Sequence, residues 1–240
     1  MSKQFFRSLV AIAAFSAAVA GTASADVIWN FASLAGTSHA NSSLGDNYTF
    51  NQGTGWLYAA AVVQPVWTNS SGPCSQAAPC LYDKVVLNDS TETGLGLTPN
   101  LNNEVFNPDG IALTASPGSH ISSVTIGSLQ GSLQLGESWA VAGCSSTSMG
   151  YGGCTVLDSG IGASGGSLTV SGLTGYGAYV VYVPCRINSS CTTMAGLGMT
   201  NGDNNLVLMS ATTVPEPGAL ALMAAGLFGL GWTIRRRRAS

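Results

Sequence analysis

Six cysteines, two histidines and a scatter of carboxylates are the side chains of this 240-residue sequence that chemistry could use. The cysteines (Cys74, Cys80, Cys144, Cys154, Cys185 and Cys191) fall in three close pairs spaced C-x5-C, C-x9-C and C-x5-C. No C-x2-C pair and no ligand-spaced histidine accompanies them, so the common zinc patterns are missing. An even count, in a chain that reaches an oxidising compartment, suggests three disulfides, out of the 15 pairings that six cysteines allow. The segments GPCSQAAPC, GCSSTSMGYGGC and PCRINSSC are rich in turn formers, which favours closure between nearest neighbours. A loop of about seven residues closed in this way contributes roughly 2.4 kcal/mol.

The remaining groups give weaker signals. His39 lies in Thr-Ser-His-Ala-Asn-Ser-Ser, a loop composition, and His120 opens the run His-Ile-Ser-Ser-Val-Thr-Ile at a strand start. There is no G-x-S-x-G elbow for a nucleophilic serine. Two carboxylates flanking a bond make a glycosidase, but many acids give many pairs. Asp89, Glu92, Glu104 and Asp109, and separately Asp203-Asn204-Asn205, supply the oxygen atoms that a hard cation such as calcium requires. Neither group follows an EF-hand loop, and Asx turns in solvated loops explain both equally well. Tyr151, Tyr176 and Trp67 stand beside glycine or asparagine and could form platforms for sugar rings, although aromatic residues in a sandwich more often belong to its core. The expectation is no catalytic residue, no cofactor and no resident metal, with calcium as the one ion worth testing.

These groups must be held by elements with little charge. Only 8% of residues are charged, against roughly 25% in an average domain. Lys3, Arg7 and Arg235 through Arg238 lie at the ends, so residues 26–213 carry two bases (Lys84 and Arg186) against ten acids, a net charge of −8. That field repels phosphate backbones, which excludes nucleic acid as a partner. With 45% hydrophobic residues, the chain is not a disordered tail. No helical period is sustained; short β-branched and aromatic runs recur between Gly, Asn, Ser and Pro. Strands are expected at 27–32, 48–51, 56–63, 81–87, 111–115, 121–129, 132–135, 138–142, 167–173, 178–183 and 206–211. The fold class is therefore all-β: one antiparallel, jelly-roll-like β-sandwich over residues 26–213.

The two ends differ from this region. MSKQFFR, then an apolar run of about 14 residues, then Ala23 and Ala25 before Asp26, have the order of a signal peptide over residues 1–25, removed by signal peptidase. At the other end Val214-Pro215-Glu216-Pro217 precedes 17 uncharged residues from Gly218 to Ile234 and then Arg235, Arg236, Arg237 and Arg238. As a helix those 17 residues span about 26 Å, the short end for crossing a bilayer. The arginines form a stop and place the tail in the cytoplasm. Pro215 and Pro217 keep the stretch before the span extended.

A Val-Pro-Glu-Pro quartet, a Gly- and Leu-rich span and a closing arginine cluster resemble the PEP-CTERM sorting signal over residues 214–240. The resemblance implies that an exosortase in the membrane reads and cleaves this region. It implies a Gram-negative source, export through the inner membrane, transient anchoring, and delivery to the cell surface or an exopolysaccharide matrix. Leu81-Tyr-Asp-Lys, Glu92-Thr-Gly-Leu-Gly-Leu, Asn103-Glu-Val, Ser123-Val-Thr-Ile-Gly-Ser and Gly136-Glu-Ser-Trp are also similar to a β-sandwich found in many PEP-CTERM proteins, which bears on fold more than function. A non-enzymatic surface or biofilm-matrix protein is the reading that follows. A carbohydrate-binding module and, behind it, an envelope hydrolase are the alternatives. Non-reducing peptide mapping of the exported protein should return Cys74–Cys80, Cys144–Cys154 and Cys185–Cys191; a bridge joining distant segments contradicts the spacing argument.

Overall fold

The computed structural model describes residues 26–31, 40–53, 55–63, 68–69, 73–75, 79–86, 90, 93–98, 104–106, 109–129, 138–147, 150–162, 166–184 and 205–216. Among the described residues fifteen strands are formed: β1 (Val27–Asn30), β2 (Ser42–Gly45), β3 (Asn47–Gln52), β4 (Gly55–Val63), β5 (Thr68–Asn69), β6 (Cys80–Lys84), β7 (Gly94–Thr98), β8 (Val105–Phe106), β9 (Asp109–Ala115), β10 (Ser119–Leu129), β11 (Ser138–Thr147), β12 (Gly150–Ile161), β13 (Gly166–Ser171), β14 (Ala178–Tyr182) and β15 (Asn205–Pro215). Residues 27–213 make up one compact unit; of the other, residues 1–26 with 214–240, only Asp26 and 214–216 are described.

Two antiparallel sheets pack face to face. One runs β13-β10-β15-β7-β6-β2, with β1 and β8 also paired to β15; the other contains β3, β4, β5, β9, β11, β12 and β14. Between them lies a core drawn from both: Trp29, Leu81, Leu95, Leu97, Ile126 and Leu208 face Phe50, Leu57, Ile111, Leu113, Val141 and Val181. The architecture is the β-sandwich expected from the alternating strands.

In the second sheet β4, β9, β14, β11 and β12 pair in succession, and the two-residue β5 pairs with both β12 and β4. The face turned away from the main core carries small residues. Ala112, Ala140, Ala142, Cys144, Ala178 and Val180, with Val62 and Tyr182, form a second buried cluster. Alternation along these strands is therefore apolar on both faces, which is the pattern of a sheet covered on both sides.

Differences from the sequence expectation have local causes. β7 and β12 are glycine-rich and are not among the strands expected from the sequence. At Gly94 a Cβ would lie 2.5 Å from the Leu208 carbonyl oxygen, so the glycine is what lets β7 approach β15. β12 forms because β11 continues through Thr147 and pairs with it from Ser138↔Ile161 to Thr147↔Gly150. The short strands β2, β5 and β8 carry too few residues to show a period. The expected strand at 132–135 lies outside the described residues.

Burial pushes the Tyr182 phenol up from its ordinary value to about 12. A raised acid pKa favours the folded state's neutral form, so this contribution is intact below pH 10 and declines as the unfolded phenol ionises between about 10 and 12. Chemical denaturation across this range should show a loss approaching roughly 3 kcal/mol from this residue, and Tyr182→Phe should flatten that part of the profile.

Candidate functional site

The sequence places its most specific signal at the end of residues 26–213, and the structure shows how that end is held. β15 is an interior strand of its sheet, flanked by β10 and β7. Its last part is paired by β1 in the register Val27↔Thr213, Ile28↔Thr212, Trp29↔Ala211 and Asn30↔Ser210. The Trp29 indole Nε1 donates to Thr213 Oγ1 at 3.0 Å in a buried contact. From the β10 side, Ser122 Oγ donates to the Thr212 carbonyl at 3.3 Å. β15 then runs on to Pro215, and Glu216 follows as an exposed residue. No linker separates the sheet from the Pro-Glu-Pro triplet. Proline suits this place because it removes a donor just where the ladder ends.

A second constellation was not legible from spacing. The Lys84 ammonium and the Glu104 carboxylate form an ion pair, with side chains only 10% and 3% exposed. Ser128 Oγ donates to the same Glu104 oxygen at 3.3 Å. Ser128 has φ +60° and lies where the β10–β13 register shifts between Ile126 and Leu129. A bulge re-aims a side chain, and here it turns the hydroxyl onto Glu104. Lys84, Glu104 and Ser128 come from three of the segments that carry the weaker resemblance, so those motifs meet in space as one buried polar network.

This network corrects two expectations. Glu104 is not in a solvated loop; it is 2% exposed and held by Lys84, and Asp109, also 2% exposed, lies in β9 opposite Val63. The cation of that pair is the one lysine of residues 26–213. Asp89, Glu92 and Asp203 lie outside the described residues. Among the described residues no group of three His, Cys, Asp or Glu side chains is close enough together to hold a metal ion.

The cysteine geometry is local. Cys74 and Cys80 are bridged with Cα atoms 5.3 Å apart, and Cys144 and Cys154 with Cα atoms 4.1 Å apart. The second bridge ties β11 to β12 beside the alanine-lined cluster. Cys185 and Cys191 lie outside the described residues, as do Ala23, Ala25, Pro217, Arg235, Arg236, Arg237 and Arg238. Asp26 and Val214 flank the β1–β15 pair. Among the described residues no helix is long and apolar enough to cross a membrane; the expected span falls outside them.

The groups considered for sugar or acid–base chemistry are placed as follows. Tyr176 is half-buried and lies over Gly143, where a Cβ would come within 2.3 Å of its ring. It meets Tyr179 edge-on, with centroids 6.2 Å apart, and packs against the main core. Tyr151 belongs to β12, while Trp67 and His39 lie outside the described residues. His120 is the second residue of β10 and partly exposed.

A family model described as the PEP-CTERM protein-sorting motif matches residues 213–238. No curated protein and no solved structure is similar to the chain. Residues 213–238 are thus similar to a C-terminal sorting address, and they follow directly on a folded β-domain. That address is the PEP-CTERM motif, which directs exosortase-dependent sorting to the cell surface, and it begins at Thr213, the residue bonded by Trp29.

The buried ion pair gives a stability prediction. Lys84→Met should destabilise the domain by about 3–5 kcal/mol, because it strands a buried carboxylate. Adding Glu104→Leu to the same chain should recover most of that loss in urea denaturation.

Proposed function

We propose that this protein is a non-enzymatic component of the surface or extracellular matrix of a Gram-negative bacterium, exported behind a signal peptide and delivered by an exosortase. The observation that carries the reading is the match of residues 213–238 to the PEP-CTERM sorting motif, directly continuous with an interior strand of the sandwich. The domain is the cargo, and residues 214–240 are the instruction.

The chemistry of the cargo supports a structural role. Glu104, among the acids first considered for chemistry, is tied to Lys84 and Ser128 inside the fold. Residues 26–213 carry a net charge of −8 with few cations, a balance that suits a hydrated polysaccharide matrix better than an anionic membrane surface. Local disulfides constrain loops at small cost in geometry and persist in an oxidising envelope. Before sorting, the apolar span anchors the precursor with Arg235–Arg238 in the cytoplasm; afterwards the domain is free of the membrane and resides with the exopolysaccharide.

Glu216→Ala leaves the span and the arginines intact while removing the charge between the two prolines. In its native host this variant should accumulate as a full-length, membrane-bound precursor, with the surface fraction lost. Surface delivery of the variant at the wild-type level overturns the reading of Pro215-Glu216-Pro217 as the recognised element. Turnover of a glycan or ester by the purified domain overturns its non-enzymatic part.

A further inference from the structure

We propose that Lys84 and Glu104 condense to an amide after folding, so that the buried ion pair becomes a covalent cross-link between β6 and the residue preceding β8. A nucleophile, an electrophile and a hydrogen-bond donor meet inside the sandwich, away from water. The cross-link forms whether or not residues 213–238 are read as a sorting signal.

The amine and the carboxyl group are held in contact. Lys84 Nζ donates to Glu104 Oε1, with the two side chains 10% and 3% exposed. A nitrogen touching a carboxylate oxygen lies within about one carbon–oxygen bond of the carboxyl carbon, close to the roughly 3–3.5 Å of a near-attack arrangement. Lys84 is fixed by β6, which pairs with β7 through Lys84↔Gly94 and Asp83↔Leu95. Glu104 is fixed by β8, which pairs with β15 through Val105↔Leu206 and Phe106↔Asn205. Held in this way, the two groups react as if at effective concentrations on the order of 10⁵–10⁸ M.

Burial favours the product. In water, hydration stabilises an ammonium and a carboxylate against condensation; inside a fold that hydration is lost, whereas an amide is neutral. Ser128 supplies the third group. Its Oγ donates to the same Glu104 Oε1 at 3.3 Å, the atom on which negative charge develops as nitrogen attacks. Ser128 has φ +60°, and Asn41 is the other non-glycine residue with positive φ among the described residues. Backbone strain of this kind persists where the surroundings hold it, and it clusters at reactive sites.

The step balances without any co-reactant. The Lys84 ammonium passes a proton to the carboxylate, and the neutral amine adds to the Glu104 carboxyl carbon. The bond from that carbon to Oε2 then breaks. Oε2 leaves as water with two hydrogens that began on Nζ, and Nζ keeps the third in the new amide. Oε1 becomes the amide oxygen and keeps its bond from Ser128. The ion pair is the reactant, and the stability effects of Lys84→Met and Glu104→Leu refer to it.

The test is peptide mapping of the full chain produced in its native host. Cleavage before aspartate yields residues 83–88, which hold Lys84, and residues 89–108, which hold Glu104; neither contains cysteine, so no disulfide joins them. Wild type should give the two peptides joined and one water lighter than their sum, and trypsin should fail to cut after Lys84. The intact chain should be lighter by the same water than its terminal processing and oxidised cysteines alone make it. Lys84→Arg keeps the positive charge but removes the amine, so its two peptides should separate. Ser128→Gly relieves the positive φ and removes the hydroxyl; pulse labelling should show joining slowed about tenfold or more. Separate, unmodified peptides from folded wild type overturn the proposal and leave an ordinary ion pair. A joined species in Lys84→Arg also overturns it, because the amine then comes from elsewhere. Joining at the wild-type rate in Ser128→Gly overturns the part given to the hydroxyl.

Discussion

The pairing of β15 is the constraint on which the rest of the structure depends. It is the last described strand before the sorting motif, yet it is interior to its sheet, bonded to β10, β7, β8 and β1. A strand in that position cannot be added at an edge after the remainder has assembled. Its core residues Leu206, Leu208 and Ala211 are 0–1% exposed and pack into the main core. Burying one such leucine stabilises by about 1.5–3 kcal/mol, so a chain halted before β15 lacks a substantial part of its driving force. Completion of the fold and presentation of the motif are consequently linked through a few residues around Thr213.

Around that strand the protein solves a composition problem. With few charges available, buried polarity is concentrated where it can be satisfied. Lys84 meets Glu104, Ser128 meets the same carboxylate from a bulge, and Trp29 meets Thr213. Such pairs add little net energy against an apolar replacement, but losing one partner is expensive. They therefore specify how β1, β6, β8, β10 and β15 are arranged more than they strengthen it. The second sheet works differently. Its alanine-lined outer face is buried without an ion pair among its cluster residues, and the Cys144–Cys154 bridge fastens β11 to β12 there.

Much of this was legible in the sequence because it is periodic or local. The strands at 56–63, 111–115, 121–129 and 178–183 alternate or carry β-branched runs, and each is found within a few residues of its expected place. Nearest-neighbour bridges at Cys74–Cys80 and Cys144–Cys154 follow from short, turn-rich spacing. The motif at Pro215-Glu216-Pro217 is contiguous and needs no fold to be read. What remained hidden is long-range or hidden by glycine. Gly94 lets β7 pair with β15 because Leu208's backbone leaves no room there for a side chain, which is a tertiary fact. Glu104 reads as a loop acid until Lys84 is brought to it from β6. Tyr176 reads as exposed until Gly143 is found beneath its ring. The pairing of β1 with the end of β15 joins the two extremes of the mature domain, and no local window contains both.

The account holds that residues 26–213 are a cargo and residues 214–240 are an address that is read once. The intact mass of the protein isolated from its native cell surface tests this most directly, because it reports both ends in one measurement. The expected mass corresponds to a chain beginning at Asp26, lacking the span and Arg235–Arg238, with all six cysteines oxidised. A surface-derived protein whose mass still includes the arginine tail would contradict it.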